Sequence, residues 1–420
     1  MRNLHSHFES TGLSHVFVIV AALTGLQLAL LFQGRNVAAF GDTHARGSHS
    51  NMPAHKLLPV GDFVSRDWVK TKPAVVEGVV YFGSNNNYMY AVDARTGQTR
   101  WKYLTGGSVE SSPSVVGGVA YFGSNDFHLY ALQAGSGELL WRFSVGGQII
   151  SSPAVSDGSV YFGSRDSNLY ALDMKSGTLK WQFDTRGWVE SSPAVSDGVV
   201  YVGSRDDRLY ALDAETGAFK WAYIARGWVD SSPTVAAGTV YVGSNDGNLY
   251  ALDAQTGELK WLFRTGNWVE SGPTASGDIV YFGSGDKQVY AVDAETGEEK
   301  WRFATGGWVR SSPTVAGETL YIGSNDNSLY ALDADTGAEK WRFETGGWVT
   351  SSPTVADGVV YVGSNDEHLY AVDANTGTLK WKFSAKEGPG SIFISSARGN
   401  RFSRAARISL GSDKKIKTLD

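Results

Sequence analysis

The chain has 420 residues, with 37 Lys and Arg against 43 Asp and Glu for a net charge of −6, and no cysteine. A cysteine-free chain has no disulfide staple, no catalytic thiol, no c-type haem attachment and no lipidated cysteine of the bacterial lipoprotein kind. With the acidic balance, no nucleic-acid partner is expected.

The first element is apolar. Residues 16–32, VFVIVAALTGLQLALLF, follow Arg2 and precede the small residues of Val37–Ala39. The run is longer than the roughly 7–15 residues of a signal peptide's apolar region and shorter than the roughly 20 of a spanning helix. Residues 1–39 therefore read as a signal peptide or an N-terminal membrane anchor. Either form implies export, to periplasm, cell envelope or the extracellular space. Residues 40–65 form a polar linker and a seam segment. The linker histidines His44, His49 and His55 are irregularly spaced and lack Cys or carboxylate support, so a solvated linker explains them better than a metal site. The stretch PVGDFV, residues 59–64, aligns with an outer strand but lacks its Trp, and is expected to pack at a seam.

From residue 66 to 385 the chain repeats itself. A tyrosine opening YFGS or YVGS recurs at Tyr81, Tyr121, Tyr161, Tyr201, Tyr241, Tyr281 and Tyr361, with YIGS at Tyr321, always 40 residues apart. A tryptophan closes each unit, from Trp101 to Trp381, at the same step. Within the fourth unit the runs SSPAV, VVYVGS, RLYALDA and FKWAYIA are strand-like, and SDG, SRDD and AETG between them are turn signals. No run has the 3.6-residue period of an amphipathic helix. Four strands per unit and eight units predict an all-β fold, an eight-bladed β-propeller of four-stranded blades. Past Trp381 the repeat dissolves. Residues 386–420 hold eight Lys or Arg against three acids and read as a basic C-terminal tail, mobile or loosely docked.

Most units end on A-x-D-x-x-T-G-x-x-x-W, as in AVDARTGQTRW at Ala91–Trp101 and ALDAETGAFKW at Ala211–Trp221. This motif resembles the tryptophan-docking motif of the pyrroloquinoline-quinone-like propeller repeat. That family includes quinoprotein alcohol dehydrogenases and the propeller component of the outer-membrane protein assembly machinery. The resemblance covers residues 68–384. It implies that the Trp of one blade packs on the next and that the Asp, Thr and Gly shape the turn receiving it. The second unit departs, with Gln133 for the Asp and Ser136 for the Thr, and weaker docking is expected there.

Function is not fixed by this repeat and has to come from a site grafted on the fold. His128 and His368 lie in separate blades and cannot pair. The recurring Asp of SND and SRD, such as Asp126, Asp206 and Asp366, is read as an Asx-type turn residue in an exposed hairpin. Lys72 replaces the second Ser of SSP in the first unit and is placed near the axis. The leading reading is an exported, non-catalytic binding or interaction scaffold, with no catalytic residue, metal or cofactor predicted. The alternative that the resemblance implies is a dehydrogenase dependent on pyrroloquinoline quinone and Ca²⁺. It lacks support in the long inter-blade insertions and adjacent cysteines of such enzymes. Six tryptophans lie outside the docking set: Trp68, Trp188, Trp228, Trp268, Trp308 and Trp348, each followed by Val. Ser108 and Gln148 take this place in units two and three. These indoles are expected to circle the axial mouth with Glu190, Asp230 and Glu270 nearby, as the binding face for a protein, peptide or glycan. The remaining contact expected is with a membrane, through the N-terminal apolar segment if it stays uncleaved.

Overall fold

The computed structural model describes residues 67–386, together with the backbone of 391–398, 401–410 and 416–418; the apolar segment, the linker and PVGDFV lie outside the described residues. Each 40-residue unit folds into its own four-stranded antiparallel sheet, and eight such sheets form the propeller. Blade one consists of Ala74–Val76, Val79–Gly83, Tyr88–Asp93 and Thr99–Leu104, in that order from the axis outward.

The local chemistry accounts for these strands. The first hairpin closes through two residues at positive φ, Glu77 at 49° and Gly78 at 71°, or Asp157 at 47° and Gly158 at 73°. This is the two-residue turn that matches the strand twist, and it makes the SDG signal an accurate one. The second and third strands are buried on both faces, because sheets stack face to face around the ring. The outer strand is largely exposed, with only alternate residues such as Trp101 and Tyr103 turned inward. The core therefore lies between blades. One cluster joins Tyr201, Leu209 and Trp221 to Val240, Val242 and Tyr250 of the following blade.

The docking motif works through backbone. Gly217 sits at φ 72°, and a Cβ added there would meet Trp181 Cδ2 at 2.7 Å, so the indole lies directly on the glycine. Trp181 Nε1 donates to Ala214 O at 3.0 Å, and Tyr161 donates its hydroxyl to the same carbonyl at 3.0 Å. In the turn, Asp213 Oδ1 accepts from the N–H and hydroxyl of Thr216 at 3.0 and 2.8 Å. The second unit corrects the expectation of weaker docking. Trp101 still donates to Ala134 O at 2.8 Å and lies 2.7 Å from a Cβ on Gly137. Gln133 and Ser136 supply neither the carbonyl nor the glycine, so their substitution leaves the contact in place.

The ring closes by the same means. Trp381 lies on Gly97 and donates to Ala94 O at 2.9 Å, Tyr361 donates to Ala94 O at 3.2 Å, and Asn86 Nδ2 donates to Ala385 O at 2.6 Å. In the C-terminal segment the backbone of Ser391–Arg398, Arg401–Leu410 and Ile416–Thr418 forms a three-stranded antiparallel sheet. The sequence, basic and without repeat, gave no sign of it.

Candidate functional site

The six additional tryptophans are all held in one way. Each precedes a Val that is buried against the preceding blade. Val189, for example, fills the space beside Gly163, where a Cβ would come within 2.3 Å of its Cγ1. Residues alternate in direction along an extended segment, so a Val turned inward turns its Trp neighbour outward. The Trp carbonyl accepts an N–H from the hairpin between the second and third strands of its own blade. The donors are Asn85 to Trp68 (2.9 Å), Arg205 to Trp188 (2.9 Å), Asn245 to Trp228 (2.8 Å), Gly285 to Trp268 (2.9 Å), Asn325 to Trp308 (2.9 Å) and Asn365 to Trp348 (2.8 Å). Ser108 and Gln148 accept from Asn125 and Arg165 in the same way, so the two blades without Trp keep the backbone and lose only the indole.

The indoles divide into two kinds. Trp188, Trp228, Trp308 and Trp348 are 45, 49, 44 and 49% exposed. Trp68 and Trp268 are half-buried. Trp268 lies over its own hairpin at Gly285, where a Cβ would meet its ring at 2.4 Å, and packs edge-on against Trp308 at 6.0 Å.

Charged side chains fill the space between them. Arg165 Nε donates to Glu190 Oε1 at 2.6 Å, Arg205 NH2 to Glu190 Oε2 at 3.0 Å, and Arg205 Nε to Asp230 Oδ1 at 2.9 Å. The Arg205 guanidinium stacks 5.1 Å from Trp188 and 4.7 Å from Trp228. Arg310 pairs with Glu270 at 3.2 Å and stacks 5.0 Å from Trp268. Lys70 pairs with Glu110 at 3.4 Å and lies 4.6 Å from the Trp68 ring. Ile150, Glu190, Arg205, Asp230, Glu270 and Arg310, contributed by blades three to seven, line a cavity of about 340 Å³. Burial raises the pKa of Glu270 and outweighs the opposing pull of Arg310.

Glu190, Asp230 and Glu270 thus share one cavity. The arginines and Ile150 escaped sequence reasoning, although a signal was present. In a chain this repetitive, the variable columns are conspicuous. The hairpin column reads Asn, Asn, Arg, Arg, Asn, Gly, Asn, Asn from Asn85 to Asn365. The column two residues after the Trp reads Lys, Glu, Ile, Glu, Asp, Glu, Arg, Thr from Lys70 to Thr350. Both columns contribute side chains to this charged network.

The hairpin aspartates are more than exposed turn residues. Asp366 accepts from His368 N at 3.2 Å, as an Asx turn requires, but also from Tyr370 OH at 2.6 Å and from Gly346 N of the incoming loop at 2.7 Å. Asp206 is only 9% exposed at its side chain and accepts from Tyr210 OH at 2.5 Å and from Arg208 at 2.8 Å. Burial and Asp206 together push the Tyr210 pKa up to about 12. His128 and His368 bond the carbonyls of Asp126 and Asp366 within their own hairpins. Among the described residues no group of three or more His, Cys, Asp or Glu is placed to hold a metal ion. The cavity also suits pyrroloquinoline quinone poorly. That cofactor carries three carboxylates, and three of the six lining residues are acids whose arginine partners are already engaged. The residues present do not fit it.

No curated protein matches the sequence. Among solved structures, BamB from Moraxella catarrhalis is 24% identical with a TM-score of 0.61, covering 73% of this chain and 92% of that one. The computationally designed Ika8 protein is 18% identical with a TM-score of 0.65, covering 75% and 95%. The quinohemoprotein alcohol dehydrogenase ADHIIG from Pseudomonas putida HK5 is 18% identical with a TM-score of 0.61, covering 73% and 70%. At these identities the likeness is one of fold. The family model of the outer membrane protein assembly factor BamB matches residues 59–129, 105–191, 184–268, 262–347 and 316–414. With nearly the whole repeat region matched, the chain belongs to this family of pyrroloquinoline-quinone-like propellers.

Proposed function

We propose that the protein is an exported, non-catalytic scaffold that binds a polypeptide partner through its tryptophan-bearing axial face. The observation carrying this reading is the set of four half-exposed indoles beside a cavity whose arginines and acids are already paired. Large exposed aromatics anchored by rigid backbone are the residues that interfaces favour, and they lose little conformational entropy on binding. Arg205 already occupies one side of Trp188 and Trp228, which leaves their edges and outer faces for apolar contact. The rim lacks indoles at Ser108 and Gln148, giving an extended chain a side to enter or leave by. The family's name, which refers to outer membrane protein assembly, agrees with a protein partner and an envelope location. Export would depend on residues 16–32, cleaved or retained as an anchor.

The test is binding of the full chain to a panel of unfolded outer-membrane polypeptides, with a glycan panel alongside. Parent protein should bind the polypeptides, and Trp308→Ala with Trp348→Ala should weaken binding at least tenfold while the melting temperature stays close to the parent's. Unchanged binding in the double variant, or binding to glycans alone, would overturn the reading.

A further inference from the structure

Among the described residues the outer strand of every blade has one unpaired edge. Such an edge invites another strand, and natural sheets guard against this with charge. Lys102, Arg142, Arg302, Arg342 and Lys382 stand at the fourth place of their outer strands, and Asp184 and Arg264 close those of blades three and five. Blade four lacks the guard. Its outer strand, Phe219–Ile224, reads FKWAYI, with Ala222 and Ile224 at those two places. Its one charge, Lys220, is held by Asp213 at 3.5 Å. Ile224 at 64% and Phe219 at 57% are the two most exposed large apolar side chains among the described residues.

These side chains form one strip. Phe219 stacks on Phe183 at 6.5 Å, and Ala222 packs into the same cluster as Phe183, on the side of the sheet that faces blade three. Ile224, two residues on, points to that side as well. The backbone is arranged to match. Ala225 N donates inward, to Asp207 O at 2.8 Å. Bonding direction alternates along an antiparallel strand, so Ala222 and Ile224 turn their N–H and C=O groups to the free edge.

We infer that this edge is the contact between two copies of the chain, which pair their blade-four outer strands antiparallel about a twofold axis at Ala222. On the axis each Ala222 exchanges both backbone bonds with its own copy. Lys220 comes level with Ile224 of the other strand, so the one charge of the strand meets no like charge. The same pairing in blades one, two, six, seven or eight would set a Lys or Arg against its own copy. Blade four alone combines an unguarded edge with a surface complementary to itself, as a twofold contact requires. The chain enters and leaves the ring at the seam of blades eight and one, nearly half a turn from blade four, which favours a second copy over the chain's own ends. One strand pair is a small interface, and the dimer is accordingly weak and concentration-dependent.

Sedimentation velocity of the full chain tests this, together with cross-linking through single introduced cysteines, for which a cysteine-free chain gives no background. The parent should shift from monomer toward dimer as its concentration rises. Ala222→Lys, which gives blade four the guard of the other blades, should stay monomeric at every concentration with a melting temperature close to the parent's. Ala222→Cys should form a disulfide-linked dimer under mild oxidation about tenfold faster than Lys382→Cys, because hydrogen-bonded pairs across antiparallel strands hold their Cα atoms about 5.5 Å apart, within disulfide reach. A parent that stays monomeric, association that persists in Ala222→Lys, or equal cross-linking rates at the two cysteines would overturn the dimer. A monomeric parent whose polypeptide binding is lost in Ala222→Lys would assign the edge to a partner's strand instead.

Discussion

Trp341 and Trp348 are seven positions apart, one closing a unit and the other opening the next, and they do opposite things. Trp341 closes the outer strand, donates to Ala374 O at 3.0 Å and covers Gly377 of the next blade. Trp348 accepts a backbone bond, leaves its ring 49% exposed, and has neither a cation nor another ring over it among the described residues. The docking column is Trp in all eight units, whereas the axial column is Trp in six and is flanked by columns that change from blade to blade. Within one chain, uniform columns hold the ring and variable columns make each part of the mouth different. The repeat thus separates the column that holds the ring from the columns that vary around the axial mouth.

The comparison can be broken at several points. The largest effect should come from the docking column: Trp221→Ala removes a buried indole and its bond to Ala254 O, and should cost about 3–5 kcal/mol in chemical denaturation. Asp366→Asn should cost about 1–3 kcal/mol, because Gly346 N and Tyr370 OH lose a charged acceptor. A near-neutral result would return these aspartates to the simple turn role read from sequence. Acid should weaken the docking turns. The pKa of Asp93 is lowered to about 2, chiefly by Arg100. That of Asp293 is lowered to about 2, first by the backbone N–H of Thr296, and that of Asp373 to about 2, first by Lys380. A depressed folded-state pKa gives stability that is full above the unfolded value of 3.8 and is lost as pH falls through about 2. Denaturation midpoints should therefore drop between about pH 4 and pH 2, and less steeply in Asp373→Asn. The smallest effect is a gain: Gln133→Asp should restore the turn acceptor missing from unit two and add about 0.5–1 kcal/mol.

Most of the ring was legible because its determinants are local and repeated. The spacing of Tyr201 and Trp221, the ETG turn and the SDG hairpin each specify one strand junction, and eight copies leave little freedom. Placement of the six tryptophans also followed from the sequence, since Trp-Val before a strand sets one residue in and one out. The arginine ladder was not legible in the same way. Arg205 pairs with Glu190, 15 positions back in its own blade, and with Asp230, 25 positions on in the next, and only the ring geometry brings Asp230 alongside. The burial of Asp206 was missed for a related reason: a turn looks exposed in sequence until the loop from the preceding blade is laid against it.

The most direct measurement is the pair of denaturation curves for Trp341→Ala and Trp348→Ala, taken under one set of conditions. Trp341→Ala should lose about 3–5 kcal/mol, and Trp348→Ala less than about 1 kcal/mol. Comparable losses from the two variants would contradict the division, because the axial indole would then be part of what holds the ring together.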